Sequence, residues 1–247
     1  MQEFLSEYQS VKQRFQKLAE TEEYQKKCRH YLSEIDRLTI VADSLLVQIP
    51  QYRTVCETDI VHRQYASGCK YLHRGFYAPS PVIERVVVGV KRGKLLKRLS
   101  ARCKPSFEYG FNAEGQLLRS KQLLDHQVIS TEYLFYQENK TYGITIDSNG
   151  SFQTVTEELF ENDTLIRYTK ADFAPFSELY CYRISCEEYH YNTESLHMDW
   201  HQLMPPLQEL EFLPEIEPLP YPVYRCNSYD FVRKGDQLIF ANNIMDI

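Results

Sequence analysis

The sequence predicts an α+β fold, in which an N-terminal helix or helix pair precedes a large antiparallel β-meander that forms a single curled sheet or a partly open barrel. Apolar residues recur every three or four positions over residues 1–50, as they do on one face of a helix. From about residue 82 the period falls to two, which is typical of strands. Clusters rich in Asn, Asp and Gly separate these segments, and this favours hairpins over βαβ units.

The composition is that of an ordinary globular protein. Hydrophobic residues make up 43% of the 247 positions and charged residues 25%, which argues against a disordered or collagen-like chain. No apolar run approaches the roughly 20 residues that cross a bilayer, and the first residues do not resemble a signal peptide. The seven cysteines include no CxxC pair, so we expect buried thiols, a cytoplasmic location and no cofactor.

The first predicted unit is the helical segment 1–50. Its apolar stripe fades in the polar stretch 20–27, where Thr21 stands before two glutamates as a helix N-cap would. Two helices that meet near residue 21 and one long helix with a weak middle both fit this pattern. Pro50 disfavours a helical Ile49, so we expect the element to end there.

Four further segments complete the predicted organisation. Residues 51–81 are expected to form an irregular connector, with a loop or short helix that leads into the sheet. Residues 82–204 form the antiparallel hairpin-repeat sheet. Residues 205–222 contain six of the chain's 11 prolines and are expected to form an extended arm. Residues 223–247 form a C-terminal hairpin that completes the same domain.

Two stretches of the sheet share a pattern of aromatic residue, any residue, aromatic residue, Asn, any residue, Glu and a small residue. They lie at 109–115 and 189–195, and a Leu follows each closely. The pattern resembles the tyrosine–aspartate hairpin repeats of Rhs-type proteins and the short cytoplasmic β-meander proteins encoded beside bacterial toxins. Asn112 and Asn192 stand where the repeats carry Asp. The resemblance covers about residues 105–201 and implies a hairpin sheet rather than an activity.

Charge is divided unequally along the chain. Residues 1–104 carry 19 Lys and Arg against 11 Asp and Glu, whereas residues 105–247 carry 9 against 23. Motifs for nucleophilic hydrolysis and for phosphate binding are absent from the sequence. We therefore expect a non-catalytic protein-binding protein, most concretely an immunity protein whose acidic, Tyr-rich sheet face covers a basic toxin domain. The expected contact residues are Glu157, Glu158, Glu161, Asp163, Glu187, Glu188, Tyr168 and Tyr189.

Two other functions are open at this point. His197, Asp199 and His201 alternate along a predicted strand, so they share one face and offer a ligand set that zinc or iron accepts, which would suit a metal-dependent or small-ligand enzyme. A predicted hairpin, with strands 82–90 and 95–102, carries seven Lys and Arg and no acid over residues 91–104, as a nucleic-acid site would. Because the net charge is −6, we expect these cations to meet the acidic half of the chain instead.

Overall fold

A computed structural model of the protein describes residue 13 and residues 16–68, 82–83, 93–98, 104–174, 181–205, 222–234 and 237–246, with backbone alone from residue 233 onward. The two long helices are α1 (Glu22–Leu46) and α2 (Ile49–Asp59). The strands are β1 (His62–Ser67), β2 (Lys94–Leu95), β3 (Phe107–Phe111), β4 (Leu117–Leu124), β5 (Gln127–Tyr136), β6 (Lys140–Asp147), β7 (Phe152–Glu161), β8 (Thr164–Phe173), β9 (Cys181–Tyr191), β10 (Ser195–Met204), β11 (Val223–Lys234) and β12 (Gln237–Asp246). Neither helix, nor any other described one, is long and apolar enough to cross a membrane.

The described strands form one antiparallel sheet of twelve strands. From β3 to β12 each strand pairs with its neighbour along the chain, while β1 lies beside β3 and β2 lies outside β1. The order begins at β12 and ends at β2, and no pairing among the described strands joins these two ends. The predicted meander is therefore confirmed, in the form of an open sheet rather than a closed barrel.

Turn residues in the left-handed region connect several strands. Asn162 and Asp163 both have positive φ and form the two-residue link between β7 and β8, and Asp125 with His126 does the same between β4 and β5. A right-handed sheet twist favours such turns, and Asn and Asp tolerate this conformation better than most residues. Because these turns are short, consecutive strands lie side by side and reverse direction each time.

Helices α1 and α2 cover one face of the sheet, which we call the helix face. Helix α1 begins after Thr21, whose hydroxyl accepts a hydrogen bond from the backbone N–H of Tyr24 at 3.3 Å. Its buried stripe then packs on aliphatic residues of the central strands. Fully buried members of this core are Leu38, Ala42, Ile144, Val155, Ala171, Ile184 and Leu203. Of the two alternatives, a single long helix or two helices that meet near residue 21, the structure shows a helix that starts after Thr21.

One expectation about residues 47–81 is wrong and another is confirmed only in part. Pro50 does not end the helical region; α1 ends at Leu46, and Pro50 lies in the first turn of α2. Proline is tolerated there because the first N–H groups of a helix have no intrahelical partner. The segment 51–81 contains the short helix that the sequence allowed, since α2 continues to Asp59, but its described residues then form β1 rather than irregular structure.

The basic hairpin differs from its prediction where the structure describes it. Lys94 and Leu95 pair with β1, in the register Ala66 to Leu95, so the second predicted arm joins the edge of the sheet. Val82 and Ile83 are buried but not extended in a strand. Residues 84–90 of the first arm, 99–102 of the second arm and 206–221 of the proline-rich arm lie outside the described residues. The C-terminal hairpin of β11 and β12 is confirmed.

Candidate functional site

The expected contact residues do not share one exposed face. Glu157 and Glu188 lie on the helix face, and their neighbours Glu158 and Glu187 point to the opposite face, because successive side chains of a strand alternate. Glu157, Glu158 and Glu187 are buried, as are Tyr168 and Tyr189. Glu188 is half-buried, and the exposed members are Glu161 and Asp163.

Glu157 is the centre of an ion-pair network beneath α1. The Arg37 guanidinium donates two hydrogen bonds to its carboxylate at 2.8 and 2.9 Å, and Lys140 and Arg167 each donate one at 3.1 Å. Burial raises the pKa of Glu157, but Arg37, with Tyr142 and Lys140, outweighs it and lowers the pKa to about 2. This carboxylate anchors α1 to the sheet and is not accessible to a partner.

The buried residues of the opposite face are also engaged inside the protein. Tyr189 donates a hydrogen bond from its hydroxyl to Glu187 at 2.7 Å, and the backbone N–H of Val82 donates another to the same carboxylate at 3.3 Å. Tyr168 and Tyr189 belong to a cluster with Val82, Ile83, Leu196, Met198, Tyr229 and Phe231. These tyrosines are core residues in this structure.

Exposed carboxylates do collect at one end of the sheet. In a meander every second turn lies at the same end, so the turns after β3, β5, β7 and β9 form a row. Neighbouring turns of this row are about 10 Å apart, since each step crosses two strand spacings. We call the five exposed carboxylates in these turns the acidic rim: Glu114, Glu138, Glu161, Asp163 and Glu194.

The rim carboxylates have no paired cation among the described residues. The four turns contain no Lys or Arg. Two tyrosines at the ends of their strands, Tyr136 and Tyr191, stand beside rim turns with 41% and 42% of their surface exposed. Exposed tyrosine rings therefore lie beside two of the four rim turns.

The three predicted metal ligands lie on the helix face of β10, as expected, but in two separate groups. His197 forms a hydrogen bond through Nδ1 with the Asp230 carboxylate at 2.7 Å, and its Nε2 lies 3.3 Å from the Asp199 carboxylate. The Nε2 atom of His190 lies 3.6 Å from the same Asp199 carboxylate. The Asp230 hydrogen bond raises the pKa of His197 despite partial burial. Among the described residues, no group of three or more His, Cys, Asp or Glu side chains has a geometry that could hold a metal ion.

His201 forms the second group, beneath Tyr31 of α1. Its Nδ1 lies 2.8 Å from the Tyr224 hydroxyl and its Nε2 lies 3.7 Å from the Glu188 carboxylate, an ion-pair distance rather than a hydrogen bond. Cys226 faces His201 across the β10–β11 pair. Burial lowers the pKa of His201, but Cys226 and Glu188 outweigh it and raise the pKa to about 9. Within this group the sequence predicted His201 as a metal ligand and Glu188 as a partner contact, but not their proximity, because they lie on different strands.

The basic segment is described only in part. Lys94, Lys97 and Arg98 are exposed near the β2 edge. Lys104 pairs with Asp125 of the acidic half at 2.6 Å, which agrees with the expectation that its charge meets that half. Lys91, Arg92 and Arg102 lie outside the described residues, so the footprint expected for nucleic acid stays a prediction.

The opposite face carries a polar hollow of about 160 Å³. Its lining is mostly Ser, Thr and Gln, with Glu132 and Lys170. Ligand pockets usually enclose about 300–1,000 Å³ behind mainly apolar walls. The hollow is therefore smaller and more polar than a typical small-molecule site.

Comparison with known proteins adds no relative. The chain matches no protein-family model, and neither curated proteins nor solved structures give a significant match.

Proposed function

We propose that this chain is a non-catalytic protein-binding protein that attaches to a basic partner through the acidic rim. The observation that carries the proposal is the row of exposed carboxylates, in four successive turns at one end of a hydrogen-bonded sheet, without a paired cation among the described residues. Most other strand carboxylates of the chain's acidic half are buried or paired inside the fold. Among the described residues of this half, the rim holds most of the exposed carboxylates that lack a paired cation.

The spacing of the rim suits a protein surface rather than a small ligand. Four turns about 10 Å apart extend over roughly 30 Å, close to the width of a small protein interface. Exposed Tyr136 and Tyr191 add aromatic area at low cost in side-chain entropy. A row of like charges also steers a basic partner during its approach.

We further propose that the partner is a basic toxin domain. The charge of the rim and the resemblance to toxin-associated meander proteins together favour a basic toxin domain, which the chain would cover as an immunity protein. Covering such a site needs no catalytic group on this chain, which is consistent with the absence of hydrolase and phosphate-binding motifs from its sequence.

Capture from the native host tests the proposal. The bait is the full chain, used as wild type, as a rim triple variant (Glu138→Gln, Glu161→Gln, Glu194→Gln) and as a matched control triple on the helical segment (Glu20→Gln, Asp36→Asn, Asp43→Asn). All six carboxylates are exposed, and both triples change the net charge equally. We expect a basic protein to be retained by wild type and control and lost by the rim triple. Equal retention by all three baits, or no retained protein, would contradict the proposal.

A growth assay tests the finer proposal. Deletion of the gene for this chain should slow growth of cells that express the captured partner, and wild-type chain should restore it. The rim triple should fail to restore it while the control triple succeeds. A partner that causes no growth defect leaves protein binding intact but rejects the immunity role.

A further inference from the structure

We propose that the polar hollow on the opposite face binds a neutral sugar, of which it holds a single six-membered ring. The hollow is separate from the acidic rim, and this inference does not depend on the proposed binding function. It rests on the bend of the sheet, on unpaired polar groups of the lining and on the size of the hollow.

Two β-bulges shape this part of the sheet. Ile129 is the extra residue in the β4–β5 pair, and Gln153 is the extra residue in the β6–β7 pair. The residue after each of them, Ser130 or Thr154, lines the hollow. A bulge bends its strand and redirects side chains, so the adjacent residues Gln153 and Thr154 both line the hollow. The register of the strands therefore builds the concave shape.

A row of polar side chains crosses the hollow. Its members face one another in turn on the four strands from β4 to β7: Ser120, Glu132, Thr145 and Thr154. Neighbouring strands are about 4.8 Å apart, so two or three members of the row can reach the substituents of one small ring. The remaining polar residues of the lining are Gln122, Ser130, Gln153, Thr156 and Lys170.

Several of these polar groups have no partner inside the described part of the protein. There, no hydrogen bond reaches the side chains of Ser120, Thr145, Gln153 and Thr154. Ser120 is only 6% exposed, so a molecule in the hollow is the partner that its hydroxyl can reach. Hydroxyl and amide groups both donate and accept hydrogen bonds. An array of them is complementary to the hydroxyl groups of a sugar.

The charges of the lining favour a neutral ligand. Lys170 pairs with Asp172 at 2.8 Å, and Arg183 donates two hydrogen bonds to the other oxygen of that carboxylate, at 2.6 and 2.8 Å. An anion therefore meets no uncompensated cation in the lining, and Glu132 repels it. A cation that approaches Glu132 meets the ammonium group of Lys170 in the same small space.

The size of the hollow suits one ring. An apolar cavity of about 150 Å³ holds benzene, a single six-membered ring. The hollow has nearly the same volume, about 160 Å³, but nine of its ten lining residues are polar. The tenth, Phe107, is buried and stacks on Tyr109 at 6.2 Å between ring centroids. Its ring offers an apolar surface on which the C–H groups of a sugar can be buried.

Titration of the ¹⁵N-labelled full chain with D-glucose, D-galactose and D-mannose, followed by NMR, tests the proposal. We expect at least one sugar to shift the backbone amide signals of β4 to β8 with a Kd of about 2 mM, as befits so small a polar ligand. Acetate and glycine, which carry charge, should bind at least about tenfold more weakly. Lactose distinguishes the two sources of such a ring: binding as tight as that of its component sugars supports the end of a glycan, and weaker binding supports a free sugar.

Three variants connect the binding to the hollow. The double variant Thr145→Val, Thr154→Val removes two hydroxyls at nearly constant side-chain shape and should raise the Kd about tenfold, and Gln153→Leu should raise it about threefold. Thr131→Val, on the helix face of β5, is the matched control and should leave the Kd unchanged.

Circular dichroism and a thermal melt establish that each variant is folded, and if the double variant unfolds, Gln153→Leu decides. Three results would overturn the proposal. The first is that none of the three sugars shifts these signals at up to about ten times the expected Kd. The second is that acetate or glycine binds as tightly as the sugars. The third is that the Kd is the same for wild type and the folded hollow variants.

Discussion

At the scale of single residues, the dominant feature is that several acidic side chains form ion pairs inside the fold and so attach the helices to the sheet. Glu157 illustrates it: its carboxylate is fully buried yet binds Arg37, Lys140 and Arg167. A buried charge is tolerated only when paired, and removal of one partner typically costs about 3–5 kcal/mol. Glu57 of α2, which is partly exposed, likewise attaches its helix to the sheet, since Arg119 and Lys121 of β4, against the effect of burial, lower its pKa to about 2.

The substitution Glu157→Gln should lower the free energy of unfolding by about 3 kcal/mol at pH 7, since it leaves three cations facing a neutral amide. Glu161→Gln, at the exposed end of the same strand, is the control and should change it by less than about 0.5 kcal/mol. Urea denaturation measures both values. Similar losses for the two variants would show that the buried network contributes little.

The pH dependence of stability provides a second check on Glu157. Its folded pKa, about 2, lies below the value of 4.5 for an unperturbed carboxyl, so its contribution is complete above about pH 5 and is lost as the pH falls toward 2. We expect the difference in stability between wild type and Glu157→Gln to shrink by about 2 kcal/mol from pH 6 to pH 3. A difference that stays constant over this range would contradict the lowered pKa.

At the scale of elements, local sequence signals predicted most boundaries, and long-range contacts account for the failures. The sequence predicted the helix start at Thr21, the hairpin turns and the final β11–β12 pair, because each depends on residues within a few positions of one another. Pro50 was misinterpreted because proline both ends helices and begins them, and only the course of the chain after it decides. The position of the rim follows from the meander, since alternate turns lie at the same end of the sheet. The predicted contact residues were chosen without this rule, so only Glu161 and Asp163 among them belong to the rim.

The start of α1 should be measurable as a capping contribution. Thr21→Ala removes the acceptor for the Tyr24 N–H and should cost about 1 kcal/mol, whereas Thr21→Ser should retain most of the stability. Thr54→Ala, at an exposed position of α2, serves as the control. Urea denaturation measures the free energy of unfolding of the three variants. Equal values for Thr21→Ala and wild type would show that the Thr21 cap does not stabilise α1.

The contact between the end of α2 and β3 gives a separate prediction. A Cβ at Gly110 would approach Ile60 Cδ1 more closely than atoms can without movement. Gly110→Ala should therefore cost about 1–3 kcal/mol, and Ile60→Val, which removes that methyl group, about 1 kcal/mol. In the double variant the closest contact is gone, and the next one, from Cγ1 of residue 60, is 3.0 Å, so the combined loss should be smaller than the sum. Strict additivity in urea denaturation would contradict this contact.

At the scale of the whole molecule, the position of a carboxylate on the open sheet decides whether it is paired, buried or exposed to solvent. The helix face pairs its carboxylates with Arg, Lys and His, the opposite face buries Glu158 and Glu187, and the end formed by alternate turns exposes its acids. Sequence predicted the meander and its net charge, but not which acids are buried, because Arg37 reaches Glu157 across 120 positions of chain. Strand alternation already excluded neighbours such as Glu157 and Glu158 from one face.

The central claim is that the acidic rim attracts a basic protein partner. Stopped-flow association of the captured partner with wild type, rim triple and control triple, at about 20 and 150 mM salt, tests it most directly, because exposed charges act mainly on the association rate. The account predicts that at low salt the rim triple associates at least about tenfold more slowly than wild type, that the control triple matches wild type within about twofold, and that salt narrows the difference. Equal rates for the two triples would contradict it.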